Sequence, residues 1–179
     1  MILIKIWITI ASFFQSLEIQ LQKNHLLATI KTLSPEWSIT LNVRLYSAIP
    51  YGDGIGWCSI ILITKGSDNS EYGYRTPLVE LKKTEKTLHF ASAINGTSSV
   101  AYDVVDSPLQ INQNYHIQID QRYVSAGNYQ YSVRLDGVVV FETLNTDARQ
   151  FYDMKVYAGN PWRDACPVMI RNLHLTNFV

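Results

Sequence analysis

Apolar and polar residues alternate with a period of two along much of this chain. Trp37, Ile39, Leu41, Val43 and Leu45 share one parity, while Ser38, Thr40, Asn42 and Arg44 share the other. Successive side chains of a strand point to opposite faces, so this spacing predicts a strand with one core face and one wet face. Tyr115, Ile117 and Ile119 repeat the pattern against Asn114, His116, Gln118 and Asp120, and Tyr129, Tyr131, Val133 and Leu135 repeat it against Gln130, Ser132 and Arg134. WCSIILIT, from Trp57 to Thr64, is almost continuously apolar, as expected of a strand covered on both faces.

The segments between these runs carry turn chemistry. Asp136-Gly137 separates SVRL from VVVFE, and a two-residue Asp-Gly between apolar runs is a strong hairpin signal. Asn95-Gly96 plays the same part between LHFASAI and TSSVAYDVV, and Pro77 and Pro108 fit strand starts or edges, where no ladder donor is lost. Met154, Val156 and Ala158 predict a strand that Gly159-Asn160-Pro161 breaks. In the last strand Leu173 and Leu175 share a face with which Ile170 is out of phase, so a bulge near Arg171-Asn172 is required to bury all three. Strand signals recur at short intervals from Glu18 onward, with no helical period, internal repeat or low-complexity linker. The expectation is an all-β chain folded as a two-sheet antiparallel jelly-roll sandwich.

The first residues, MILIKIWITIASFF, are read as part of a signal peptide spanning 1–16, leaving a β-sandwich domain over 17–179. The run is too short to span a bilayer, which needs about 20 apolar residues. The alternative is an extra N-terminal strand, since Ile2, Ile4, Ile6, Ile8 and Ile10 alternate with Leu3, Lys5, Trp7 and Thr9.

Composition narrows the function. A chain of 179 residues suits one well-cored domain. Fifteen basic residues balance fifteen acidic ones, which leaves no basic footprint for nucleic acid and no polybasic patch for an anionic membrane. Asn95-Gly96-Thr97 is an N-glycosylation sequon at a turn, consistent with a secreted protein. The two cysteines, Cys58 and Cys166, are far apart; in an oxidising compartment one bridge between them would contribute ~4 to 5 kcal/mol in the chain-entropy model. Their alternative is a pair of buried thiols acting as small hydrophobes.

Candidate chemistry concentrates in few places. YAGNPWRDAC sets Trp162, Arg163 and Asp164 beside Cys166. An exposed indole there would stack on a sugar ring while Arg163 and Asp164 bond hydroxyls; the preferred reading is that Trp162 folds back as a cap over the sandwich end, with Arg171 paired to Asp164. The polar strand faces carrying His116, Gln118, Gln130 and Arg134 are a second candidate ligand surface, against the plainer reading of a solvated face. Asp53 in YGDGIGW sits in a glycine-rich loop that precedes a strand, whereas a phosphate-binding loop opens a helix. That leaves a turn, or a calcium or sugar contact, at Asp53. His25, His89, His116 and His174 are dispersed without paired metal spacing, and no G-x-S-x-G elbow or activated cysteine is present, so no metal or nucleophile is assigned.

HLLATIKTLSPEWSITLNVRL, GWCSIILIT, YQYSVRLDGVVVFE and KVYAGNPW followed by IRNLHL together resemble the laminin G-like branch of the concanavalin A-like lectin and glucanase superfamily, over roughly Leu17 to Val179. They are similar to modules of secreted or surface proteins in cnidarians and some protists. The resemblance implies an extracellular sandwich with one concave sheet, binding glycans or proteins, with calcium at the rim in many members and usually without catalysis. The Glu-x-Asp-x-x-Glu strand that supplies two carboxylates to superfamily glucanases is missing here. Only scattered carboxylates stand where converging oxygen ligands would hold calcium, so no cofactor is expected. The resulting expectation is a secreted, non-enzymatic, lectin-like module; the alternative is an adhesive building block that self-assembles into an extracellular polymer.

Overall fold

The computed structural model describes residues 9–50, 56–66 and 70–178. Among them are thirteen strands and no helix: β1 (Thr9–Gln15), β2 (Ile19–Gln20), β3 (Leu26–Leu33), β4 (Glu36–Leu45), β5 (Trp57–Thr64), β6 (Leu78–Lys82), β7 (Leu88–Ile94), β8 (Thr97–Asp103), β9 (Asn114–Ser125), β10 (Asn128–Leu135), β11 (Val138–Asn145), β12 (Phe151–Ala158) and β13 (Val168–Phe178). They form two antiparallel sheets. The first runs β1-β13-β4-β9-β10-β11, with β2 also pairing β13, and the second runs β3-β12-β5-β6-β7-β8.

Alternation in the sequence becomes the two faces of the first sheet. Trp37, Ile39, Leu41, Val43 and Leu45 of β4 are buried, as are Ile117 and Ile119 of β9 and Tyr131 and Val133 of β10. Each fully buried aliphatic side chain contributes about 1.5–3 kcal/mol over its exposed state. Trp37 meets Tyr131 edge-on at 6.2 Å, and Tyr102 of the second sheet stacks on Phe141 of the first at 5.1 Å. The core is therefore shared by both layers.

WCSIILIT is almost continuously apolar because β5 is covered on both sides. Cys58, Ile61 and Ile63 enter the main core, and Leu62 packs with Leu78, Ala91 and Tyr157 in a smaller cluster. Turn chemistry is equally faithful. Asp136 (φ 50°) and Gly137 (φ 83°) link β10 to β11, and Asn95 (φ 52°) and Gly96 (φ 75°) link β7 to β8, both with the left-handed backbone of two-residue hairpins. Pro77 immediately precedes β6, and Pro108 lies in the β8–β9 connection. The register of β13 against β4 shifts between Arg171 and His174, with Asn172 at φ 52°, which buries Ile170, Leu173 and Leu175 together.

Cys58 and Cys166 are joined by a disulfide across 108 positions. At the N-terminus, the backbone of β1 pairs antiparallel with β13, so part of the segment weighed as leader or strand is a strand here. Residues 1–8 and Asp53 lie outside the described residues.

Candidate functional site

The expected site residues fall on opposite faces of the sandwich. Gln118, Gln130 and Arg134 come together on the outer surface of the first sheet; Trp162, Arg163 and Asp164 lie on a loop against the second.

On the first sheet, β9 and β10 pair in a register that sets Gln118 beside Arg134, Asp120 beside Ser132 and Arg122 beside Gln130. All six line one open depression of about 410 Å³. At its floor is Asp120, only 5% exposed. A buried carboxylate is tolerated where donors surround it, and here they do. Ser38 Oγ donates to Oδ1 at 2.6 Å, while Gln118 Nε2 and Arg134 Nη1 donate to Oδ2 at 2.7 and 2.8 Å. Arg134 Nη1 also donates to Ser132 Oγ at 3.1 Å. Arg122 forms the rim, its Nε 3.2 Å from Glu36 Oε1 and its guanidinium 3.8 Å from the centre of the Phe178 ring. Gln118, Ser132 and Arg134 are thus tied to one another around the floor.

His116 belongs to the same outer surface but lies outside the depression. Its Nδ1 is 2.8 Å from Asn42 Oδ1, and its backbone N–H donates to Asp136 Oδ1 at 2.7 Å. That places it at the hairpin end of the sheet. Asp120 and Ser132 share the parity of Gln118, Gln130 and Arg134 and so were already readable as neighbours; Arg122 extends the same parity beyond the apolar run and was missed.

The Pro-Trp loop departs from its expected arrangement. Trp162 does not cap the sandwich end: it is 49% exposed and lies face to face on Tyr74 at 5.2 Å and 30°. Asp164 pairs with Lys23 at 3.5 Å rather than with Arg171. The physical reason is the path of the chain. Ser59 N donates to Asp164 O and Cys166 N donates to Ser59 O, both at 3.0 Å, which splices the loop onto the start of β5, beyond the stretch from Ile61 that β12 pairs. Arg163 then reaches Glu80 on β6, donating from Nη1 to Oε2 at 3.2 Å. Burial pushes the Glu80 carboxyl above its ordinary value, opposed by the charges of Arg163 and Arg75.

A third cluster on the second sheet went unrecognised in the sequence. Asp103 accepts from Lys82 Nζ at 2.6 Å and meets His89 Nδ1 at 2.7 Å, and the His89 ring lies 4.5 Å from that of Trp57. Burial pushes the His89 imidazole below its ordinary value, against the opposing pull of Asp103. Lys82, His89 and Asp103 lie on three successive strands, and the strand register joins them.

Asn95 is exposed, yet its amide is engaged. Nδ2 donates to Leu144 O at 2.9 Å and Oδ1 accepts from Thr146 N at 2.7 Å, tying the β7–β8 turn to the end of β11. Among the described residues no group of three or more His, Cys, Asp or Glu converges as a metal site.

No family model and no curated protein matches the chain. Solved structures do. The receptor-binding domain of botulinum neurotoxin type G matches with a TM-score of 0.55 at 14% identity, over 94% of this chain and 41% of that one. An endo-β-1,4-glucuronan lyase from the fungus Trichoderma reesei matches at 0.54 and 10% identity, over 93% and 75% of the two chains. A mutant alginate lyase in complex with alginate tetrasaccharide matches at 0.52 and 15% identity, over 89% and 80%. The chain spans about two fifths of the toxin domain. What is shared at these identities is the sandwich fold.

Proposed function

We propose that this chain is a non-catalytic, extracellular carbohydrate-binding module that reads a glycan on the outer face of its first sheet. One observation carries the reading: a depression of about 410 Å³ lined by polar side chains, two of which, Gln118 and Arg134, are held by a buried carboxylate at its floor. Saccharides present many hydroxyls that both donate and accept. Amides, a hydroxyl and guanidinium groups held in place match such a ligand, and prior ordering lowers the entropy cost of binding.

The non-catalytic part of the reading is supported by the same residues. Among the described residues Asp120 is the one carboxylate lining the depression, and its oxygens accept from Ser38, Gln118 and Arg134. Glycoside hydrolysis by the usual route needs two carboxylates flanking the scissile bond. Two further facts support the carbohydrate and extracellular parts of the reading from outside the site. Sandwiches of this fold include proteins named for alginate and glucuronan, and a disulfide suits an oxidising, exported environment.

The test is titration calorimetry with a panel of tetrasaccharides that includes alginate tetrasaccharide. Binding by the wild type and at least tenfold weaker binding by Gln130→Ala and Arg134→Ala are expected. Failure of well-folded protein to bind any glycan of a broad array would refute the reading. Release of unsaturated uronate from alginate or glucuronan would refute its non-catalytic part.

A further inference from the structure

The Pro-Trp loop combines rigidity with exposure. Asn160, 4% exposed, accepts the backbone N–H of Trp162 at 2.9 Å and of Arg163 at 2.5 Å through Oδ1. The disulfide fixes Cys166 to β5, and Arg163 is anchored on Glu80, itself 3% exposed. Tyr74 supports one face of the Trp162 ring. An indole backed in this way, yet half exposed, has little rotamer freedom left to lose on binding. It also presents apolar surface that folding did not bury.

We propose that Trp162 is a second saccharide-contact point, separate from the Asp120 depression, that takes a pyranose ring whose C–H bonds gather on one face. The inference rests on the carbohydrate-binding reading above. Such a ring face packs against an indole through dispersion and hydrophobic contact, while its equatorial hydroxyls point outward to polar neighbours. Those neighbours are present. Arg163 leaves guanidinium donors at the surface beside the bond to Glu80, its side chain 38% exposed, and the Asp164 carboxylate, 65% exposed, supplies acceptors.

The opposite placement follows from strand parity. Glu80 lies between the buried Val79 and Leu81 of β6 and so faces outward from the second sheet; Asp120 lies beside buried Ile119 of β9 and faces outward from the first. A glycan on one surface therefore cannot contact the other across the core, and the two sites would bind independently. A single module would then hold two chains at once and cross-link them.

The experiment follows the four tryptophan indole N–H signals by NMR, with the Trp162 signal assigned from Trp162→Phe, while cellotetraose, laminaritetraose or alginate tetrasaccharide is added. A saturable shift of the Trp162 signal that persists in a Gln130→Ala/Arg134→Ala variant supports the proposal. Trp162→Ala, checked for an unchanged melting temperature, should leave binding at the depression intact. If the depression binds a sugar while the Trp162 signal stays fixed with all three, this inference fails alone. If the Trp162 shift vanishes in the double variant, the two contacts are one site and the inference also fails. Absence of any shift or binding at either surface, with these three sugars and across a broad glycan array, removes both readings.

Discussion

Asp120 and Trp162 invert the usual relation between polarity and burial. The carboxylate is inside and the indole is half outside, and each is held by named partners. Truncating a partner of a buried charge leaves part of its desolvation cost uncompensated, but Arg134 is itself one-third exposed, so water takes over some of its role. Arg134→Ala is therefore expected to cost about 1–2 kcal/mol, read as a lower midpoint of urea unfolding with an unchanged slope. Trp162→Ala removes a ring that touches Tyr74 at the surface, and its cost should stay within about 1 kcal/mol in the same assay. A larger loss would mean that the indole holds the loop down rather than the reverse.

The loop from Gly159 to Cys166 shows how an element depends on single positions. Gly137 and Gly159 both have positive φ, at 83° and 104°. A Cβ on Gly137 would meet open space, so alanine there costs only backbone strain, about 1–2 kcal/mol. A Cβ on Gly159 would lie 2.6 Å from the backbone oxygen of Gln22, which cannot swing away as a side chain could. Gly159→Ala is expected to be the more destabilising of the two in parallel thermal melts. The disulfide closes the same loop onto β5, and replacing both cysteines by alanine should cost about 2–5 kcal/mol; comparison of oxidised and reduced melts checks it.

For the whole molecule, pH dependence is set by groups that folding removes from water. His89 has its folded pKa below the ordinary value near 6.5, chiefly through burial. The unfolded chain therefore binds the proton more readily, and unfolding free energy rises with pH through this window. Stability contributed by neutral His89 is present above the unfolded value and is lost as pH falls from there through the folded value. Urea unfolding at a series of pH values should show this slope, and His89→Gln should flatten it. A slope unchanged by that substitution would assign the dependence to another group.

The hydrophobic pattern made much of the molecule legible. Parity placed the inner and outer residues of β4, β9 and β10, the Asp136-Gly137 and Asn95-Gly96 pairs marked two hairpins, and the phase slip of Ile170 located the bulge in β13. These features are local: a side chain's face and a turn's φ depend on residues a few positions away. Three of the outer-face residues, Gln118, Gln130 and Arg134, were found for the same reason.

What only the tertiary structure decided depends on the exact register of strand pairing and on contacts that close over long stretches of chain. Pairing of β9 with β10 gathers six polar side chains around Asp120, and pairing of β6, β7 and β8 brings Lys82, His89 and Asp103 together. The splice of the Pro-Trp loop along β5 turned Trp162 outward and gave Arg163 to Glu80 and Asp164 to Lys23. By itself, the sequence determined an all-β sandwich, because period-two alternation and turn residues act over short spans of chain. Which polar residues share one depression was left to the register and to contacts such as Ser38 to Asp120, 82 positions apart, which no short window of sequence fixes.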